Sequence, residues 1–434
     1  MEKKEQVKTT AVKGTSTARK VRGLVTNIYK VAQEAKAQGK KTAYFMVSSQ
    51  YDELFRAMDI VPIPTENYAG LCAAKRAMEP FLQKAEADGY SQVLCSYARI
   101  GLGFDSLRKD LGATPEGAPD GGMPAPDMMV GSSGVCDPRF KWYQAAGRFL
   151  DVPTHSIDVV FPPVDADLKE VRDHYIKYQT EQYRGLIAFL ERQTGKKMDK
   201  EILWEKIRLC DEAWRLWNEI DRLRIAVPCP MPSQDHFSIM VGGHFYAGTQ
   251  EAVDFYKELY EEVKLKAANK VGVIPDEKYR LLWAGGLPPW HTMWIFNYFE
   301  SLGAVFVIEN VYRTSDPVEV PSHVKDPVEY MAWRSFLRLT KRHEKAKANS
   351  GNQNVEWLLE MVNDYKTDGA VFHACRSCRA MTVGQINVKN IMGRYTQIPM
   401  MQLTSDMVDI RDYSEAQWKA QIAAFMESLA SRKK

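Results

Sequence analysis

No apolar run in this 434-residue chain approaches the length that spans a bilayer. Its first twenty residues, MEKKEQVKTTAVKGTSTARK, are polar and lysine-rich and lack the apolar centre of a secretion signal. A cytoplasmic protein with no membrane role is therefore expected. An excess of one charge is also missing: 58 basic residues face 55 acidic ones, for a net charge of +3, and no basic stripe stands out. Nucleic acid is accordingly not expected as a partner. No GxxxxGK(S/T) phosphate loop occurs, which argues against an ATPase built on that motif. Cysteine is sparse and odd in number, seven in all, and only Cys375 and Cys378 make a CxxC pair. Without an export signal disulfides are disfavoured, so metal binding, catalysis or burial are the roles left for these thiols.

What is present is a rhythm of short apolar runs alternating with helical periodicity. The length suits two or three domains. Residues Met1 to Arg19 read as a mobile arm, and Lys20 to Gln38 as a helix capped at Gly39. Strands are expected at Thr42–Ser49, Gln92–Cys95, Met128–Ser133 and Thr154–Phe161, with helices at Tyr51–Met58 and Ala73–Ala87. The Gly- and Pro-rich stretch from Gly112 to Asp127 reads as a loop. From Asp165 to Arg224 the pattern is helical, broken near Gly195, and a Pro-rich passage from Pro228 reads as a linker. The second half repeats the rhythm, with strands at Tyr279–Gly286, Ala304–Asn310, Gly369–Ala374 and Pro399–Asp406 and a closing helix from Glu415 to Arg432. Such alternation predicts an α/β fold with parallel sheets covered on both faces, in two four-strand units that look like a duplication. The expected division is an arm and helix over 1–40, a first α/β domain over 41–164, a helical connection over 165–240 and a second α/β domain over 241–434.

Ligands of such sheets sit beyond the carboxyl ends of strands. The run HACRSCRAMTVGQ, from His373 to Gln385, stands at such an end, and so do Cys95 and Cys136 on this reading. Cys95, Cys136 and Cys378 are read as one metal site assembled by folding. Thiolates select zinc, copper(I) or iron–sulfur clusters. With no second CxxC, three separated thiols suit a [4Fe–4S] cluster with one iron lacking a cysteine ligand. Structural cysteines, or a redox CxxC, are the alternatives. Arg99, Arg139, Arg376 and Arg379 lie near these thiols in sequence and are suited to offset a cluster's negative charge.

HACRSCRAMTVGQ resembles the H-x-x-R-S-C-(K/R)…G-Q segment of the family that unites 2-hydroxyacyl-CoA dehydratases with ATP-dependent benzoyl-CoA reductases. ENYAGLCAAKRA, FLQKAEADGYSQVLCSYARIGLG and VCDPRFKWY resemble earlier segments of that family, and the likeness runs from about Thr42 onward. The CSYAR and KWY wording is most similar to the B-type (or O-type) benzoyl-CoA reductase subunits. The resemblance implies two Rossmann-like (flavodoxin-like) parallel-sheet domains with an added helical layer. It implies a [4Fe–4S] cluster at their interface, held by Cys95, Cys136 and Cys378, with Cys375 left open as a ligand. It further implies an oxidoreductase subunit active in a hetero-oligomer, reducing the ring of an aromatic acyl-CoA by two electrons to a cyclic diene. The partners implied are a homologous cluster-bearing subunit and ATP-hydrolysing electron-activating subunits, with a ferredoxin among the upstream donors. A dehydratase subunit, a double-cubane-cluster reductase relative and a metal-braced structural subunit are the alternatives.

Among individual residues, His373 is a candidate proton donor, or else a histidine bonded to backbone at a strand end. Glu66 is a candidate iron ligand or acid–base group, or else a solvated turn carboxylate. Trp283, Trp290 and Trp294 are read either as the walls of a slot for a flat ring or as packing. Gly285 and Gly286 suit either a phosphate-bearing ligand or a plain turn. Cys72 and Cys210 are expected in the core, and Cys229 is uninformative.

Overall fold

The computed structural model describes residues 11–47, 51–313 and 317–433. Its first helix, α1 (Ser16–Ala37), begins at Thr15, whose hydroxyl accepts from the Ala18 N–H at 3.3 Å. The arm expected over Met1–Arg19 therefore ends sooner: residues 1–10 lie outside the described residues, and Gly14 and Thr15 donate to Asp235 at 2.9 and 2.7 Å. Helix α1 stops at Gly39 (φ 69°), as its composition predicts.

The first sheet comprises β1 (Thr42–Phe45), β2 (Val61–Pro64), β3 (Met128–Ser132) and β4 (Thr154–Ile157), all parallel, in the order β2-β1-β3-β4. Helices α2 (Asp52–Ala57), α3 (Thr65–Ala74), α4 (Glu79–Ala87), α5 (Ser96–Leu111) and α6 (Asp137–Leu150) connect these strands. The strand expected at Gln92–Cys95 is a turn between α4 and α5, with Val93 63% exposed. The true second strand is VPIP at Val61–Pro64, whose prolines disguise it; an edge position tolerates them because one side of the strand donates no ladder bonds. The helix expected at Ala73–Ala87 is α3 and α4, separated where Arg76 takes the left-handed conformation (φ 56°). Ser48 and Ser49, the end of the first expected strand, lie outside the described residues.

The middle of the chain is helical: α7 (Leu168–Thr194) ends at Gly195 (φ 70°), and α8 (Lys200–Leu223) turns Leu203, Ile207, Cys210, Trp214 and Trp217 onto its buried face. The Pro-rich passage is no linker. It leads into α9 (Ser233–Phe245), buried along nearly its whole length, where a Cβ at Gly243 would come within 2.4 Å of the Trp217 ring. Only glycine allows α8 and α9 that approach.

Helix α10 (Gln250–Ala268) leads to the second sheet, β5 (Tyr279–Ala284), β6 (Ala304–Glu309), β7 (Gly369–Cys375) and β8 (Met400–Ser405), again all parallel. Its order, β6-β5-β7-β8, repeats that of the first sheet. Around it lie α11 (Ile295–Ser301), α12 (Pro327–Leu339), α13 (His343–Ala348), α14 (Gln353–Asp364), α15 (Arg379–Thr382), α16 (Gln385–Tyr395) and α17 (Glu415–Arg432). The protein is thus α/β, with two Rossmann-like sheets and a helical layer. No helix among the described residues is long and apolar enough to cross a membrane.

Candidate functional site

In both sheets the segments leaving the carboxyl ends of strands converge. Val47 follows β1, Glu66 follows β2 and Cys136 follows β3; Leu287 and Trp290 follow β5, Tyr312 follows β6, Cys378 follows β7 and Asp406 follows β8. Cys95 is the exception, reaching the same place from the turn between α4 and α5.

Cys95, Cys136 and Cys378 each stand at the residue preceding a helix, α5, α6 and α15. None closes a side-chain cap hydrogen bond, so the sulfurs are left beside backbone N–H groups that favour negative charge. Burial pushes the Cys136 thiol up to about 11 and the Cys378 thiol up to about 12, and lifts Cys95 well above its ordinary range. The N–H groups of Ala98, Arg139 and Met381, each three residues on, pull the other way. Cys95 also feels the charge of Cys378 and Cys136, and Cys378 that of Cys136, so the three thiols are electrostatic neighbours. Three thiolates this close need a cationic centre to stay ionised.

The three sulfurs nonetheless do not all lie within 4.8 Å of one another. Among the described residues, the ligand atoms lying within 4.8 Å of one another are those of Asp221, His236 and Glu309, not the sulfurs. A single zinc ion, with Zn–S bonds of about 2.3 Å, needs a tighter set. A polynuclear centre ligated at separate metals fits the wider one. The Asp221–His236–Glu309 group is already neutralised. Arg224 forks onto Glu309 at 2.9 and 2.7 Å, and Arg313 meets Asp221 at 3.2 Å, fixing α8 to β6.

Two of the cysteine-bearing segments are tied by one carboxylate. The fully buried Asp406 accepts from the Ser96 hydroxyl at 2.5 Å, from the Ser377 hydroxyl, and from the amides of Ser377, Val408 and Asp409 at 3.2, 3.0 and 3.0 Å. Ser96 adjoins Cys95 and Ser377 adjoins Cys378, so the carboxylate sets the separation of two thiols from opposite halves of the chain.

A cavity of about 130 Å³ opens among the same strand exits, lined by Val47, Glu66, Trp290 and Tyr312 but by none of the three thiols. Its walls are apolar: Val21 and Val25 from α1, Gly70 and Leu71 from α3, and Phe237 and Val241 from α9. Glu66, Asn67, Tyr97, Ser238, Trp290 and Tyr312 supply its polar side-chain groups. Glu66 accepts from the Val47 N–H at 2.8 Å and from Arg139 at 3.3 Å. Burial raises its pKa, against the pull of Arg139, and its charge is felt by Cys136, Cys378, Tyr97 and Tyr312. It is not the solvated turn carboxylate of the duller reading.

His373 does not line this cavity. Nδ1 lies 2.6 Å from the Leu287 carbonyl and Nε2 2.8 Å from the Ser405 hydroxyl, while burial pulls the ring down to about 4. Cys375 is fully buried with its sulfur against Leu287 O at 3.5 Å and His373 Nδ1 at 3.3 Å. Arg99 is committed to Glu86 and Asp409 at 2.9 and 3.1 Å, Arg376 to Asp412 at 2.9 Å, and Arg379 is exposed; Arg139 alone of the four reaches a group of the site. Trp290 is a cavity wall, Trp283 packs on Phe296 and Phe306, and Trp294 stacks near Lys419. The glycine pair serves the chain: the Gly285 N–H is spent on Asn310 at 2.9 Å, and a Cβ at Gly286 would stand 1.8 Å from His373 O. Cys72 and Cys210 are in the core as expected; Cys229 is buried too, its sulfur 3.2 Å from Met231 O. Residues the sequence reading missed are Asp406, Tyr97 and Tyr312. The available signal was their place, just after β8, just after Cys95 and just after β6.

A family model described as 2-hydroxyglutaryl-CoA dehydratase, D-component, matches residues 50–429. The chain is 28% identical over 417 residues to the (R)-2-hydroxyisocaproyl-CoA dehydratase alpha subunit of Clostridioides difficile, covering 94% of both chains. It is 26% identical over 405 residues to the (R)-phenyllactyl-CoA dehydratase alpha subunit of Clostridium sporogenes, covering 93% of both. It is 25% identical over 414 residues to the B-type benzoyl-CoA reductase subunit of Thauera aromatica, covering 92% of this chain and 91% of that one. These relatives are enzyme subunits with acyl-CoA substrates in their names. With the match running from α2 through β8 and over all three cysteine segments, the chain belongs to the 2-hydroxyglutaryl-CoA dehydratase D-component family.

Proposed function

We propose that the chain is the cluster-bearing subunit of an ATP-dependent aromatic acyl-CoA reductase, with Cys95, Cys136 and Cys378 holding a [4Fe–4S] cluster. The observation that carries this is a set of three mutually interacting thiols, two of which also feel the charge of Glu66, the carboxyl group that lines a largely apolar cavity. When bound, such a cluster supplies low-potential single electrons and one iron open to a non-cysteine ligand. Everything else is the work of this chain's residues. Helix N-termini and Arg139 offset negative charge, the cavity walls exclude water, and burial makes Glu66 a weaker acid than an exposed carboxylate. Reduction of a ring by two electrons consumes two protons, and Glu66 is placed to deliver one. The ligands come from both proposed α/β units, 41–164 and 241–434, so the site requires the two together. Cys375 packs rather than ligates on this reading, and His373 positions the β7 end rather than donating protons.

A second reading, dehydration of a 2-hydroxyacyl-CoA, is favoured by the dehydratase alpha subunits among the relatives. Glu66 would then take the proton lost with the hydroxyl. Both readings call for a homologous partner subunit and an ATP-hydrolysing electron donor. Anaerobic turnover of the purified complex with ATP and a strong reductant separates them. Loss of benzoyl-CoA ring absorbance in step with ATP hydrolysis, abolished by Cys378→Ser, supports the reductase. Dehydration of a 2-hydroxyacyl-CoA after one priming reduction moves the protein to the dehydratases. Zinc in place of iron with neither activity sinks both.

A further inference from the structure

Tyr312 sits at the cavity in a backbone conformation that its side chain disfavours. Its φ is 56°, the left-handed region in which a Cβ crowds the chain. The surroundings impose this geometry. The ring nitrogen Nε2 of buried His244 lies 3.3 Å from the Tyr312 carbonyl oxygen, which can only accept, so the histidine donates there. The phenol ring packs against Trp290, with centroids 6.0 Å apart. Strain of this kind persists where the position of a side chain matters.

The hydrogen-bond count shows what that position is for. The Trp290 indole N–H, which has no other function in hydrogen bonding, donates to the Tyr97 hydroxyl. The Tyr97 and Tyr312 hydroxyls lie 2.9 Å apart and share one hydrogen bond. Two phenols carry two protons, and one bond between them uses one, so a second proton is left to donate. Either hydroxyl can donate in that bond; with Tyr97, already accepting from Trp290, as the donor, the chain runs Trp290 to Tyr97 to Tyr312 and the Tyr312 proton is free for the cavity. Burial keeps that phenol protonated. Glu66 is near enough for its charge to be felt but is not its hydrogen-bond partner.

We propose that the Tyr312 hydroxyl, keeping its proton, donates a hydrogen bond to the thioester carbonyl oxygen of the bound acyl-CoA. This rests on the acyl-CoA reading above. The carbonyl is the acceptor that a benzoyl, a 2-hydroxyisocaproyl and a phenyllactyl thioester have in common, and an added electron places negative charge on it. A donor preset by three aromatic side chains needs no reorganisation at that moment.

The test is binding to the purified complex of two pairs of ligands, benzoyl-CoA with S-benzyl-CoA and 4-methylpentanoyl-CoA with its S-alkyl counterpart. Within each pair the carbonyl is replaced by methylene. Wild type is expected to prefer the carbonyl member of the pair that it accepts by about tenfold. Tyr312→Phe is expected to bring the ratio to about one with the methylene ligand's affinity unchanged. Tyr97→Phe leaves the donor in place and is expected to keep the ratio above about threefold, which decides the matter if Tyr312→Phe assembles poorly. An unchanged ratio in Tyr312→Phe, or its loss in Tyr97→Phe, overturns the proposal and leaves the acyl-CoA reading standing. Failure of wild type to bind any of the four ligands overturns that reading and this one with it.

Discussion

Ser96 and Ser377 meet across 281 residues of sequence: the amide of the first donates to the hydroxyl of the second at 3.0 Å. Both hydroxyls then turn to Asp406, which holds the Cys95 and Cys378 segments in register. Asp406→Asn keeps the shape but replaces an acceptor of five donors by a group that must itself donate. The expected outcome is a loss of about 3 kcal/mol of stability, with iron per chain falling well below wild type. Thermal melts beside iron and sulfide assays check it. Unchanged iron with unchanged stability would mean the carboxylate sets nothing.

Cysteine replacement separates ligands from packing. Cys95→Ser, Cys136→Ser and Cys378→Ser are each expected to strip most iron from the purified subunit. Cys375→Ser is expected to retain it, since that sulfur faces Leu287 O and His373. Iron content and the visible absorption of the four variants decide the assignment.

The pH dependence of turnover reports Glu66. Burial raises its folded-state pKa above the unfolded value, so the protonated form persists into a higher pH range when folded. Its contribution to stability is then full below the unfolded pKa and lost as pH rises through the folded one. As a proton donor it gives kcat a limb that falls with rising pH, above the ordinary carboxylate value of about 4.3. Glu66→Gln is expected to remove that limb and to lower kcat by about 10²-fold or more. A profile identical to wild type would exclude the role.

Acid stability follows the histidines instead. His244, His291 and His373 are each pulled to about 4 by burial. The unfolded chain therefore binds protons that the folded chain refuses, between pH about 6.5 and about 4. Stability is expected to fall as pH drops through that window, by up to about 2 kcal/mol for each ring between pH 7 and 5. Urea denaturation at the two pH values measures it.

Cavity shape can be probed from α3. A Cβ at Gly70 would touch the Trp290 indole at 3.6 Å, an ordinary contact, so Gly70→Ala is expected to fold normally. It should raise KM for a benzoyl or branched acyl group by about tenfold while sparing lactoyl-CoA. Equal effects on large and small acyl groups would place the acyl chain elsewhere.

The strands of the second half and the β7 exit were legible in the sequence because they are local: an apolar run followed at once by chemistry, as in GAVF before HACRSC. The strand VPIP was not, since its prolines are tolerated only by its place at the sheet edge, a tertiary fact. Val93 and Leu94 misled in the opposite sense, being apolar but exposed in a turn. The cysteines could be named because thiols are rare, whereas Asp406 looks like any other aspartate until Ser96 and Ser377 are seen to share it. Tyr312 was equally invisible, its strained φ being a property of packing rather than of the residue.

The hub carboxylate also fixes when the site can exist. Asp406 lies beyond the last strand, β8, and only α17 among the longer helices follows it. During synthesis Cys95 and Cys136 emerge long before the group that brings Cys378 to Cys95. On the proposed cluster reading, loading must therefore follow the emergence of β8, and a nascent chain stalled before that strand would present three scattered thiols and no vessel to fill.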